Sequence, residues 1–170
     1  MKKIFLSLAF SIILFGFNNN SVSAQKIAFI NSDSLIISMP DTDSANKKLE
    51  AFVTPLSNQS RLLEDEYHKM VSDYENNSNK WAPSIKELKG NDIAQMEQKI
   101  KNFQEKAQAD VSEKRQDLFA PIIAKAKNAI ATVAKEKGYA YVLDESQGAI
   151  LYASQSDNIM SDVKKKLGIK

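Results

Sequence analysis

Cysteine is absent from this sequence. That excludes a disulfide, a lipid-modified N-terminal cysteine and any thiolate metal site. Histidine occurs once, as His68 beside Tyr67 in a charged stretch, so no second imidazole exists to complete a metal site, and His68 reads as solvated. There is no glycine-rich phosphate loop, no serine–histidine–aspartate arrangement and no cluster with metal-ligand spacing. Paired carboxylates such as Glu64 and Asp65 fall in a charged helical run and read as solvated face. The expectation is a protein that is not an enzyme, with no cofactor and no metal.

Long apolar runs are scarce too. The one long apolar run, Ile4 to Phe17, carries no charge, follows Lys2 and Lys3 and precedes a polar segment ending in the small residue Ala24. This is the layout of a secretory leader over residues 1–24, with cleavage expected between Ala24 and Gln25. The run is shorter than the ~20 residues a membrane-spanning helix needs. An exported chain without disulfides must draw its stability from packing or assembly. The full sequence carries 23 Lys+Arg against 21 Asp+Glu, so without Lys2 and Lys3 the charges balance. A neutral chain argues against nucleic acid as a partner.

What is present is a strand, a long helical stretch and then more β character. In KIAFIN (26–31), Ile27 and Phe29 point to one face while Ala28 and Ile30 point to the other. SDSLIISM reads as a short helical turn capped by Ser32 or Asp33 and ended by Pro40. Asp41 or Thr42 then caps a helix whose apolar residues recur mostly every three or four positions, with one heptad-length step from Leu56 to Leu63: Leu49, Phe52, Val53, Leu56, Leu63, Tyr67, Met70 and Tyr74. Gln59 and Ser60 soften that stripe. Residues 76–92 hold an Asn run, Pro83 and Gly90, and read as a breaker. Asn91 or Asp92 caps a second helix carrying Ile93, Met96, Ile100, Phe103, Ala107, Val111, Leu118, Ile122, Ile130 and Val133. Two consecutive steps of four near Ala107 make a stutter, and Pro121 is expected to kink the helix before it ends at Gly138.

Two helices with matching stripes predict an antiparallel hairpin. Residues 42–79 alone would extend about 57 Å at ~1.5 Å per residue, so the pair must project as an arm. YAYVLD (139–144) and GAILYAS (148–154) read as a β-hairpin, followed by a short helix capped by Ser156 or Asp157 and stopped at Gly168. The first strand is expected to pair with these C-terminal strands. The predicted fold is α+β: a small β-rich head (25–40 plus 121–170) and a helical hairpin arm (41–120) with its tip near 76–91. Such a head is marginal as a single core and leaves open sheet edges, so self-association of heads is expected. Ile27, Phe29, Ile30, Tyr139, Tyr141, Val142, Leu143, Ile150, Leu151 and Tyr152 are the residues expected to build it.

With these pieces placed, the chain resembles the Skp/OmpH family of periplasmic chaperones. The matching stretches are KIAFINSDSLIISMPD, after the leader, and LFAPIIAKAKNAIATVAKEKGYAYVLDESQGAILYASQSDNIMSDVKKKLG. Within the latter, Gly138 to Asp144, Leu151 with Tyr152, and Ser156 with Asp157 follow the family pattern. The resemblance implies a prefoldin-like, jellyfish-shaped homotrimer in the periplasm. Its arms would enclose a cavity that holds unfolded outer-membrane β-barrel proteins without ATP. The best-known members of that family have basic arms, and this chain departs from them. Residues 57–110 here carry eight Lys+Arg against ten Asp+Glu, so only the tip, with Lys80, Lys86 and Lys89 against Glu87, keeps a positive surplus.

Client-binding candidates are therefore sparse. Most arm residues, including Tyr67, Met70, Tyr74, Met96 and Phe103, read as the seam between the helices. Val53 and Leu62 lie beside seam residues and are the better candidates for a cavity surface. Trp81 with Lys80, Lys86 and Lys89 forms a tip that either packs across the turn or touches a client, a membrane surface or lipopolysaccharide. An alternative to the holdase is a structural or adaptor coiled coil that docks one fixed envelope partner.

Overall fold

The computed structural model describes residues 25–169, so the expected leader and its cleavage site after Ala24 lie outside the described residues. Strand β1 spans Ile27–Ile30, helix α1 Ser32–Ile37, α2 Pro40–Asn77, α3 Pro83–Lys137, strand β2 Tyr141–Asp144 and helix α4 Met160–Leu167. Short 3-10 turns occupy Ser78–Lys80 and Gln155–Asp157. The fold is α+β, mostly helical with one small sheet.

α2 and α3, of 38 and 55 residues, run antiparallel, since Asp41 meets Lys125, Glu64 meets Gln104 and Tyr74 meets Trp81. The hairpin is what lets β1 and β2 pair in parallel, a connection that needs a long crossover. Ile27 registers with Tyr141, Ala28 with Val142, Phe29 with Leu143 and Ile30 with Asp144. The ladder extends by Ala140 N–H donating to the Lys26 carbonyl at 2.8 Å and Glu145 N–H to the Ile30 carbonyl at 3.0 Å. Alternation then sorts the side chains. Ala28 and Ile30 enter the core with Leu35, Met39, Ala45, Ile122, Ala126, Ala129, Val133, Ile159 and Val163. The last third of α3, α1 and α4 thus close over one face of the sheet.

The ends of the elements show where local signals compete. Asn31, not Ser32 or Asp33, caps α1, its side chain accepting from Ser34 N–H at 2.8 Å. α2 starts at Pro40 with Met39 as N-cap rather than at Asp41 or Thr42, because proline suits a first helical turn whose N–H is spare. α3 starts the same way at Pro83, so the breaker shrinks to a tight turn and the helix runs through Gly90 instead of starting at Asn91 or Asp92. Pro55 and Pro121 both lie inside helices, where Ala51 and Asp117, whose carbonyls lose a partner, are exposed and can use water. Gly138 and Gly168 end α3 and α4 in the left-handed conformation at φ 71°, as expected. For α4 the N-cap is Ile159, without a side-chain cap, rather than Ser156 or Asp157, and the preceding Asn158 Oδ1 accepts from Met160 N–H at 2.9 Å.

The expected C-terminal hairpin does not form: the sheet has two strands, and residues 148–154 are not one of them. Instead the chain turns back at Asp144 and reaches the far edge of β1, where Phe29 bridges Asn158 and Ile159 N–H donates to the Phe29 carbonyl at 3.1 Å. Asp144 organises this turn. One carboxylate oxygen accepts from Ser32 N–H at 3.1 Å and Ser146 N–H at 3.0 Å, and the other from the Ser32 hydroxyl. Partial burial pushes the Asp144 carboxyl up, but the hydrogen bonds from Ser32 and Ser146 outweigh it and hold the group below the usual carboxylate range.

A carboxyl held below its unfolded value contributes stability above that value and loses it as pH falls through the folded one. Asp144→Asn should therefore lower the urea midpoint at neutral pH, and its gap to the wild type should close in acid below the ordinary carboxylate range. A gap that stays constant with pH would show that the charge is not what matters. Separately, a Cβ on Gly90 meets nothing within 4 Å. Gly90→Ala should thus stabilise the chain by about 0.5–1 kcal/mol in thermal or urea unfolding.

Candidate functional site

Helix periodicity puts one apolar stripe of each arm helix against the other, yet two helices alone cannot cover both flanks of that stripe. Leu49, Leu63 and Met96 are buried, while Phe52, Leu56, Tyr67, Met70, Tyr74, Ile93, Ile100 and Phe103 stay half-buried. Mid-arm the seam turns polar. Glu64 accepts there from the Ser60 hydroxyl at 3.0 Å and from Gln104 Nε2 at 3.1 Å. The softness read from Gln59 and Ser60 is thus carried by Ser60, with Gln59 exposed. His68 is exposed and meets the edge of Tyr67, ring centroids 5.7 Å apart.

Of the off-seam candidates, Leu62 is 60% exposed, and Val53 is half-buried in a shallow groove it shares with Leu49, Thr54 and Ser57. The structure does not bring the two together. At ~100° per residue, their spacing puts them on opposite sides of α2.

At the tip, Trp81 packs edge-on against Tyr74 with centroids 5.8 Å apart and closes the turn, and Lys89 Nζ lies 6.0 Å from its ring. Lys80 donates to Asn77 Oδ1 at 3.1 Å, and Lys86 is half-buried. The apolar side chains that do face outward are Ile85 and Leu88, 42% and 55% exposed. Three residues apart, they share one face of α3. Reading residues 76–92 as a breaker hides them. Reading Pro83 as a first helical residue instead reveals them as an i, i+3 pair.

The residues expected to build the head divide in two. Phe29 and Ile30 are buried, and Tyr139, Val142 and Ile150 are half-buried. Ile27, Tyr141 and Leu143 lie on the outer face of the sheet at 46%, 55% and 47% exposure, and Leu151 and Tyr152 stand almost free at 98% and 89%. The apolar surface of the molecule is therefore spread in small pieces over arm, tip and head. Among the described residues no group of three or more His, Asp or Glu side chains could hold a metal, and no helix is long and apolar enough to cross a membrane.

The two tip environments can be told apart. Trp81→Ala should destabilise the fold by about 1 kcal/mol through loss of the aromatic pair. Leu88→Ser should change the unfolding free energy from urea titration by no more than about 0.5 kcal/mol. Equal losses would mean that Leu88 is part of the packed turn rather than of the surface.

Comparison with known proteins agrees with this layout. The chain is 27% identical over 154 residues to chaperone protein Skp of Yersinia enterocolitica, covering 86% of this chain and 88% of that protein. It is 25% identical over 174 residues to chaperone protein Skp of Photorhabdus luminescens, covering 98% and 99%. The crystal structure of an OmpH-like protein from Caulobacter crescentus shares the fold, with a TM-score of 0.67 over 85% of each chain at 12% identity. The model of the family described as outer membrane protein (OmpH-like) matches residues 26–167, nearly everything downstream of the expected leader, and the chain belongs to that family.

Proposed function

We propose that this protein is an ATP-independent chaperone of the periplasm, a holdase that keeps outer-membrane β-barrel proteins unfolded between the arms of a homotrimer. The leader over residues 1–24 delivers it there. The observation that carries the reading is the distribution of apolar surface on an OmpH-like fold. Leu62, Ile85 and Leu88 face solvent singly or in pairs along an arm whose seam is itself half-covered. Such a surface makes many weak contacts instead of one strong one. Fully burying a leucine gives about 1.5–3 kcal/mol, and partial cover gives less. Several such contacts hold an unfolded chain, yet each breaks without an energy source.

Charge plays a smaller part. With eight Lys+Arg against ten Asp+Glu over residues 57–110, the arm does not attract acidic clients as a whole. Contact with a membrane or with lipopolysaccharide is confined to the tip, where Lys80, Lys86 and Lys89 outnumber Glu87. Trimerisation draws on the open outer face of the sheet, Ile27, Tyr141 and Leu143.

The reading is tested by light scattering of a urea-denatured outer-membrane barrel protein diluted into buffer with the mature chain. Suppression should saturate near one client per trimer, and a Leu62→Ser, Leu88→Ser double variant should need several-fold more protein for the same effect. Undiminished aggregation by a folded, oligomeric sample would overturn the holdase and favour a scaffold that docks one fixed partner.

A further inference from the structure

Between Leu63 on α2 and Met96 on α3 the arm holds no buried side chain. The first two turns of α3, from Pro83, are the thinnest part of it. Ile85 and Leu88 face solvent, Lys86 and Gly90 are half-buried, and Lys89 Nζ lies 6.0 Å from the Trp81 ring. A Cβ at Gly90 would meet nothing within 4 Å, so that side of the helix is open.

Apart from Pro83, the local signals at this helix start are weak or reversed. Ala82, the N-cap of α3, offers no side-chain acceptor, and the first turn has no acidic residue. Lys86 and Lys89 follow near the positive end of the helix dipole. Glu75 lies in the last turn of α2, at its negative end, where no basic residue offsets it. A better start lies further along α3. Gly90, Asn91 and Asp92 are three poor helix formers in a row, and inside the helix each lowers its stability. At a helix start their effect changes sign. Asn91 is among the best N-cap residues, and Asp92 then falls in a first turn that favours negative charge. Ile93, which lines one groove with Met70, becomes the first apolar residue of the shortened helix.

We propose that the tip exchanges between two helix starts, Pro83 and Asn91, and that the open form is the one that takes hold of a client. In the open form residues 82–90 are a loop, held at one end by Trp81 on Tyr74 and at the other by the Asn91 cap. Ile85 and Leu88 leave their shared helix face and follow the shape of the apolar segment they meet, as loop-rich binding surfaces do. Lys86 and Lys89 leave the positive helix end, which relieves their mismatch. Ordering the loop on a client costs conformational entropy, and this keeps each contact weak. The capture step rests on the holdase reading above; the two-state tip does not.

Amide exchange on the unmodified chain tests the two starts. Amides 87–92, hydrogen-bonded inside α3, should open together and exchange at least about tenfold faster than amides 96–103. Ala82→Ser caps the first start, and Asn91→Ala removes the cap of the second. Each should slow exchange at 87–92 about fivefold and leave 96–103 unchanged. Exchange that rises residue by residue toward Pro83 is simple fraying, and equal protection of both stretches is one rigid helix; either result overturns the proposal. The Ala82→Ser, Asn91→Ala double variant then enters the light-scattering assay with the denatured barrel protein. It should need several-fold more protein than the unmodified chain for equal suppression. Equal potency with slowed exchange overturns capture by the open tip. No suppression by either chain overturns the holdase and capture together, while exchange still decides between one helix start and two.

Discussion

The parallel pairing of β1 with β2 is the contact on which the other contacts of the head depend. The two strands are four residues each, and residues 31–140 lie between them. A random loop of that length would impose a large closure cost on so small a sheet. The helical hairpin removes most of the cost, because it folds through neighbouring residues and returns its ends to one place. Two short strands still do not hold by themselves. Leu35, Met39, Ile122, Ala126, Ile159 and Val163 therefore close over Ala28 and Ile30 from three sides. The base of the hairpin is bound into that core, while the outer arm depends on its own half-covered seam. Local opening is consequently cheaper toward the tip than at the base.

Asp144 sets the second constraint. It ends β2, holds the start of α1 through Ser32 and fixes the turn through Ser146, so segments distant in sequence meet at one carboxylate. From there the chain has only residues 145–157 to reach the far edge of β1. That short path makes Leu151 and Tyr152 bulge outward. Their exposure follows from topology, because their own sequence is apolar and strand-like.

Features that depend on repetition are legible in the sequence. The seam of α2 and α3 recurs over many turns, so a missed residue does not hide it. Gly138 and Gly168 mark helix ends because few other residues accept a positive φ. Single-residue competitions are less legible. Asn31 outcompetes Ser32 and Asp33 for one cap, and Pro83 begins a helix that the Asn run and Gly90 argue against. The missing hairpin is a different kind of case. GAILYAS has the right composition for a strand, but strand formation needs a reachable edge, and reach is a property of the whole chain path. The surface pair Ile85 and Leu88 escapes a sequence reading for the same local reason as the start of α3.

A holdase that works without an energy source has to balance retention against release, and the arm's composition bears on that balance. A continuous apolar face would bind unfolded chains tightly but would also drive the arms together. Scattered exposed residues avoid both outcomes, at the cost of needing several arms around one client. On the proposed reading, assembly is then a condition of function as well as a source of stability. In the proposed trimer, the weak sites of each arm would face a shared space, and their local concentration would rise without any new contact. On that reading, the head would convert many weak arm contacts into useful affinity.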